Sequence, residues 1–118
     1  MKQSLLGVKG EQIAAAYLTQ EKSFVILERN YRFGHLEVDL ICQDRDYLVI
    51  VEVKTRDYTS LIHPREAVNA QKQRQLIRAA NAYIESRDLD QEVRFDVVSI
   101  RFCQPSFQVD HLEDAFGP

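Results

Sequence analysis

Tyr47-Leu48-Val49-Ile50-Val51-Glu52-Val53-Lys54 is the stretch on which the fold turns. Strand side chains alternate between faces, so Val49, Val51 and Val53 fall on one side and Leu48, Ile50, Glu52 and Lys54 on the other. Both sides begin apolar, which predicts a central strand covered on both faces. The strand then carries two ionisable groups, Glu52 and Lys54, up to a dry core. A charge left there without a partner or a cation is costly.

Just upstream, Leu36 to Cys42 reads as a second strand, and the polar Gln43-Asp44-Arg45-Asp46 between them as the turn of a hairpin. Symmetric closure around Asp44-Arg45 sets Asp39 opposite Ile50 and Glu37 opposite Glu52. Glu37, Asp39, Glu52 and Lys54 then share a face, with Asp39 and Glu52 diagonal neighbours about 7–8 Å apart at Cα. Like charges on one face repel. A divalent cation removes that penalty, and carboxylate oxygens favour Mg²⁺ or Mn²⁺ over softer metals. Lys54 could position a nucleophilic water or offset negative charge building on a phosphate. The same residues also suit a solvated acidic hairpin in which Lys54 offsets the acids.

Further out, Leu6, Ile13, Ala14 and Tyr17 recur at helical spacing and predict a helix from about Ser4 to Gln20. Phe24-Val25-Ile26-Leu27 is a short apolar run that reads as a strand. Beyond the break at His63-Pro64, Val68, Leu76, Ala79, Ala80 and Tyr83 form a helical stripe between Arg65 and about Ser86. Val93 to Phe102 alternates as a strand, with Val93, Phe95, Val97 and Ser99 opposed to Arg94, Asp96, Val98 and Ile100. Phe107 to Leu112 reads as a short edge strand. The expected order is α-β-β-β-α-β(-β), a single α/β domain with a mixed sheet and helices packed on it.

Composition agrees. The chain has 118 residues, 45% hydrophobic and 28% charged, which excludes disordered and collagen-like classes. Its net charge of −3 argues against an indiscriminately basic nucleic-acid coat. Cys42 and Cys103 cannot build a disulfide framework or a four-ligand zinc site unaided, and read as core thiols. No apolar run could span a bilayer, and Met1 to Gly7 lacks the apolar stretch of a secretory signal, so a cytoplasmic protein is expected.

Several motifs then appear in order: Gly7-x-x-Gly10-Glu11-x-x-Ala14, Arg29-Asn30-Tyr31-Arg32, Glu37-Val38-Asp39-Leu40-Ile41, Val51-Glu52-Val53-Lys54-Thr55-Arg56, Glu66-Ala67-Val68 and Arg94-Phe95-Asp96-Val97-Val98. Asp39 with Glu52-Val53-Lys54 resembles the Asp…Glu-x-Lys signature of the restriction-endonuclease-like, PD-(D/E)xK nuclease superfamily. The longer set resembles the small bacterial endonuclease-like proteins of the YraN family over nearly the whole chain. The resemblance implies a restriction-endonuclease-like core similar to archaeal Holliday-junction resolvases. It also implies Glu11, Asp39 and Glu52 as metal ligands, Lys54 as the catalytic lysine, Mg²⁺ or Mn²⁺ as cofactor, DNA as partner and a homodimer as an available assembly. One position departs: Leu36 stands where the family usually has Gly, with Gly34 two residues earlier. That change bears on the turn entering the strand and on substrate access rather than on a ligand.

Charge is polarised along the chain. From Lys54 to Arg87 seven basic residues face three acidic ones. Lys72, Arg74 and Arg78 lie at helical spacing with Gln71 and Gln75, and with Arg32 and Arg56 they are candidate phosphate contacts. A solvated helix face is the plainer reading of the same pattern. Gly7 and Gly10 inside a helical pattern point to close packing. His35, His63 and His111 show no metal-ligand spacing and are expected at the surface or in caps; Asp96 is expected to be a buried structural acid. Two functions follow as expectations. One is a metal-dependent DNA endonuclease acting on branched or single-stranded substrates. The other is a non-catalytic nucleic-acid-binding or adaptor module that keeps a nuclease scaffold.

Overall fold

In the computed structural model, residues 5–57 and 68–118 are described, in the order α1 (Leu5–Gln20), β1 (Val25–Phe33), β2 (Leu36–Asp44), β3 (Tyr47–Asp57), α2 (Ala70–Arg87), β4 (Glu92–Cys103) and β5 (Ser106–Phe116). Tyr58, His63, the loop up to Pro64, the Glu66-Ala67 motif and the expected helix start at Arg65 lie outside the described residues.

The strands form one sheet in sequential order, β1 to β5. Only β3 and β4 run parallel; the other neighbours are antiparallel. The expected central strand is there: β3 is buried on both sides along its apolar half. Val49 and Val51 join Ala14, Ala15 and Leu18 of α1 in one core. Leu48 and Ile50 join Leu76, Ala79 and Ala80 of α2 in the other. The alternation expected for β4 holds as well, with Val98 and Ile100 against α1 and Phe95 and Val97 against α2.

Three element boundaries differ from expectation, each for a physical reason. β1 does not stop at Leu27 but continues through Glu28, Arg29 and Asn30 to Phe33. It is an edge strand, where charged side chains meet solvent and guard against further pairing. β5, the other edge, likewise runs on to Phe116. Among the described residues α2 begins at Ala70, because Asn69 is its cap: the side chain accepts the Lys72 N–H at 2.8 Å.

The β2–β3 hairpin closes around Arg45-Asp46, not Asp44-Arg45, with Arg45 in the left-handed region (φ 54). The observed pairs Leu40–Val51 and Ile41–Ile50 are shifted by two from the symmetric closure expected. A shift of two preserves which face each side chain occupies. The β1–β2 turn is tight too: Phe33 pairs with Leu36, and Gly34 supplies the positive φ (60). Leu36 is therefore free of the turn and packs on the α2 core.

Candidate functional site

The site forms where the sheet splits. The β2–β3 ladder ends at Leu40–Val51, yet both strands continue. Into the gap goes the Asp39 carboxylate, whose Oδ2 accepts the Val53 N–H at 2.7 Å, so a side chain replaces the missing backbone partner. Continuing the observed register sets Asp39 across from Glu52, nearer than the expected diagonal. The two carboxyl groups are close enough for the Glu52 charge to act directly on Asp39.

Glu52 is 4% exposed. Its Oε2 meets two ammonium groups, Lys54 Nζ at 3.4 Å and Lys72 Nζ at 3.3 Å. Its Oε1 is buried and receives no donor. Burial, then the Glu52 charge, pushes the Asp39 carboxyl up to about 8, against the pull of the Val53 N–H. At neutral pH Asp39 therefore keeps its proton, and Glu52 Oε1 stands beside it as a buried acceptor without a donor.

Glu11 comes close from α1. Gly10 makes this possible: a Cβ at that position would lie 1.9 Å from Thr55 Cγ2 on β3, so only glycine lets the helix sit so near the strand. Close packing at Gly10 is what its place in a helical pattern had suggested. One residue on, Glu11 Oε1 accepts from Asn30 Nδ2 at 2.9 Å, and the same amide donates to Glu37 at 3.1 Å. The Glu11 charge also raises the Asp39 pKa.

Glu37 departs from expectation: it is tied to Asn30 and to Arg32 (3.5 Å), not to Glu52. Strict alternation fails here. Val38 and Ile41, three residues apart, both enter the α2 core. On β1, Glu28 and Tyr31, also three apart, both meet Tyr83 of α2. Each strand thus drops a step, β1 at Asn30, which adopts the left-handed conformation (φ 51) that asparagine tolerates best after glycine. That device was missed by reading alternation alone; an asparagine inside the Arg29-Asn30-Tyr31-Arg32 run was the available signal.

Asp39, Glu52, Lys54 and Lys72 thus meet, with Glu11 held off by Asn30. Among the described residues no group of three or more His, Cys, Asp or Glu stands ready-made around a metal position. A cleft of about 580 Å³ opens on Asp39, walled by Arg32, Phe33, His35 and Leu36 on the hairpin side and by Lys72, Gln75 and Arg78 on α2. Arg32, Lys72 and Arg78 of the candidate phosphate contacts line it. Gln71 and Arg74 are exposed elsewhere on α2, and Arg56 lies further along β3.

A second polar cluster is structural. Arg94 Nε and Nη2 donate to the two oxygens of Asp96, each at 2.9 Å, and Nη1 donates to Asp44 at 2.8 Å. Burial opposes the Asp96 charge, but His111, Arg94 and the Asp114 N–H hold its pKa below the ordinary value. Asp96 is the buried acid expected. His111 is not at the surface: its ring lies between Asp96 (2.8 Å) and the Tyr17 hydroxyl (3.1 Å). Cys42 is buried, which pushes its thiol up to about 12, whereas Cys103 is only half-buried at a strand end; both are free.

No helix among the described residues is long and apolar enough to cross a membrane. The family model described as Uncharacterised protein family UPF0102 matches residues 10–100. A UPF0102 protein of Bacteroides thetaiotaomicron is 42% identical over 113 residues, covering 96% of this chain and 93% of the relative. UPF0102 proteins of Chlorobium chlorochromatii and Flavobacterium johnsoniae are each 44% identical, covering 94% of this chain and 90% and 93% of their own lengths. The matched span runs from Gly10 through both carboxylate strands to β4, and on that match the chain belongs to the UPF0102 family.

Proposed function

We propose that this protein is a metal-dependent endonuclease that hydrolyses phosphodiester bonds in DNA. The observation that carries the reading is the Asp39–Glu52 pair, a half-buried and a buried acid side by side with one carboxylate oxygen lacking any donor. That donor set fits a hard divalent cation. Asp39 holds a proton without a metal, and Mg²⁺ or Mn²⁺ bound by Asp39 and Glu52 would replace it. Glu11 would complete the set by turning from Asn30.

When bound, the metal polarises the scissile phosphate and lowers the pKa of the attacking water. Lys54, fixed to Glu52 from the same strand, orients that water or neutralises a phosphate oxygen. Arg32, Lys72 and Arg78 line the cleft and hold flanking phosphates. The hairpin wall and the α2 wall would grip one strand between them, which suits branched or single-stranded DNA. A homodimer would present two such clefts to two strands.

The test is cleavage of linear, single-stranded, flapped and four-way DNA with Mg²⁺ or Mn²⁺. Loss of cleavage in Asp39→Ala and Lys54→Ala supports the reading; cleavage unchanged in both assigns it to a contaminant. A second reading, a nucleic-acid-binding or adaptor module without catalysis, is favoured by one observation: Lys54 and Lys72 already balance Glu52 with no cation. Salt-dependent DNA binding with no cleavage under any metal selects it.

A further inference from the structure

Arg56 and Arg101 stand side by side, paired Cα to Cα by the parallel register of β3 and β4. Residues paired in this way point to the same face. The unbroken register and the alternation Glu52, Lys54, Arg56 put both arginines on the face that carries the carboxylate pair. Two guanidinium groups in direct register repel each other. Among the described residues neither side chain has an ion pair or a hydrogen bond, and each Nε is buried with no acceptor.

The fold treats the buried Arg94 of β4 differently. Arg94 is met by Asp44, Asp96 and Glu113, at 2.8, 2.9 and 3.2 Å. Among the described residues Arg56 and Arg101 have no such carboxylates, in a chain whose net charge is −3. A buried donor left open in a protein with acids to spare calls for an acceptor from outside. Two planar forks side by side match a tetrahedral oxyanion that offers several acceptors and up to two negative charges. Along the strand, Arg56 is about 13 Å from Glu52 at ~3.3 Å per residue, with Lys54 between them.

We propose that Arg56 and Arg101 form a phosphate-binding fork that grips a backbone or terminal phosphate of the nucleic-acid strand, to one side of the bond held at Asp39 and Glu52. The proposal rests on the nuclease reading for the carrier of the phosphate, not for the fork itself. Arg101 extends the set of phosphate contacts beyond the basic helix.

Binding is measured by fluorescence anisotropy in EDTA, so that it is independent of metal and of cleavage. The probes are a short labelled single strand with a 5′-hydroxyl, the same strand with a 5′-phosphate, and inorganic phosphate as competitor. Arg56→Gln and Arg101→Gln should each weaken strand binding roughly tenfold and lower the salt slope by about 0.7. In phosphate-free buffer Arg101→Gln should melt at or above the wild-type temperature, because it relieves a repulsion, which separates lost binding from misfolding. A tighter grip on the 5′-phosphorylated strand assigns the fork to a strand end; equal affinity assigns it to the backbone. Arginine-dependent binding without cleavage leaves the fork standing and removes the nuclease reading. Wild-type affinity in both variants, or no arginine-dependent binding of either strand or inorganic phosphate, overturns the fork; arginine-dependent binding of inorganic phosphate alone keeps the fork and overturns the nucleic-acid strand as its ligand.

Discussion

Asp39 and Glu52 lie side by side although the backbone ladder between their strands has already ended at Leu40–Val51. The contact is made by side chains across a split, with the Val53 N–H anchoring one end. Two acids held so close make the fold sensitive to pH.

Asp39 keeps its proton in the folded chain up to about pH 8, whereas an unfolded aspartate loses it near 3.8. Between those values the folded state binds more protons, so stability falls as pH rises from about 4 through 8. The drop levels off above the folded value. Asp39→Asn keeps an acceptor for Val53 and gives Glu52 a donor. Calorimetric melting in EDTA at pH 5, 7 and 9 should show a flatter profile in the variant; parallel profiles would dissociate the slope from Asp39.

Lys72 competes with any cation for Glu52, since its ammonium stands 3.3 Å from Oε2. Lys72→Met should tighten Mn²⁺ binding in calorimetry by roughly tenfold, the removal of one nearby positive charge being worth about 1.4 kcal/mol. It should at the same time weaken DNA binding. Unchanged or weaker Mn²⁺ binding would show that Lys72 does not hold the cation position.

Gly10→Ala places a methyl group against Thr55 Cγ2 and should destabilise the fold by about 1–3 kcal/mol in urea unfolding. Adding Thr55→Ser removes Cγ2 and should restore most of the loss. A double variant no better than the single one would place the damage elsewhere in α1.

Asp96→Asn leaves Arg94 buried with a weakened partner and should cost about 3–5 kcal/mol. Because Asp96 is held below its ordinary pKa, its contribution is present above about pH 4 and is lost as pH falls through the lower folded value. The wild type should therefore unfold in acid with a steeper pH dependence than the variant, as read by circular dichroism.

Much of this architecture was legible in the residues because the strand period is two. The hairpin turn was placed one residue too early, which slides the register by two, yet Asp39 and Glu52 still meet. Gly10 also announced its purpose, being a poor helix residue kept where a close approach requires it. What stayed hidden depends on distant partners or on broken alternation. Asn30 and its left-handed step turn Glu37 away from Glu52, and no periodic reading anticipates a dropped step. Lys72 reads as one more cation on a solvated helix until α2 is laid on the sheet. Arg101 gains meaning only once β4 is known to run parallel to β3 with Arg56 as its neighbour.

The split between β2 and β3 separates two layers that otherwise touch only through the sheet. Glu11 rides on the first helix, Lys72 on the second, and Asp39 and Glu52 bridge the gap between them. Whatever lodges there acts as a rivet through both layers. Amide exchange in the two helices, on opposite sides of the molecule, should then slow together when the rivet is set.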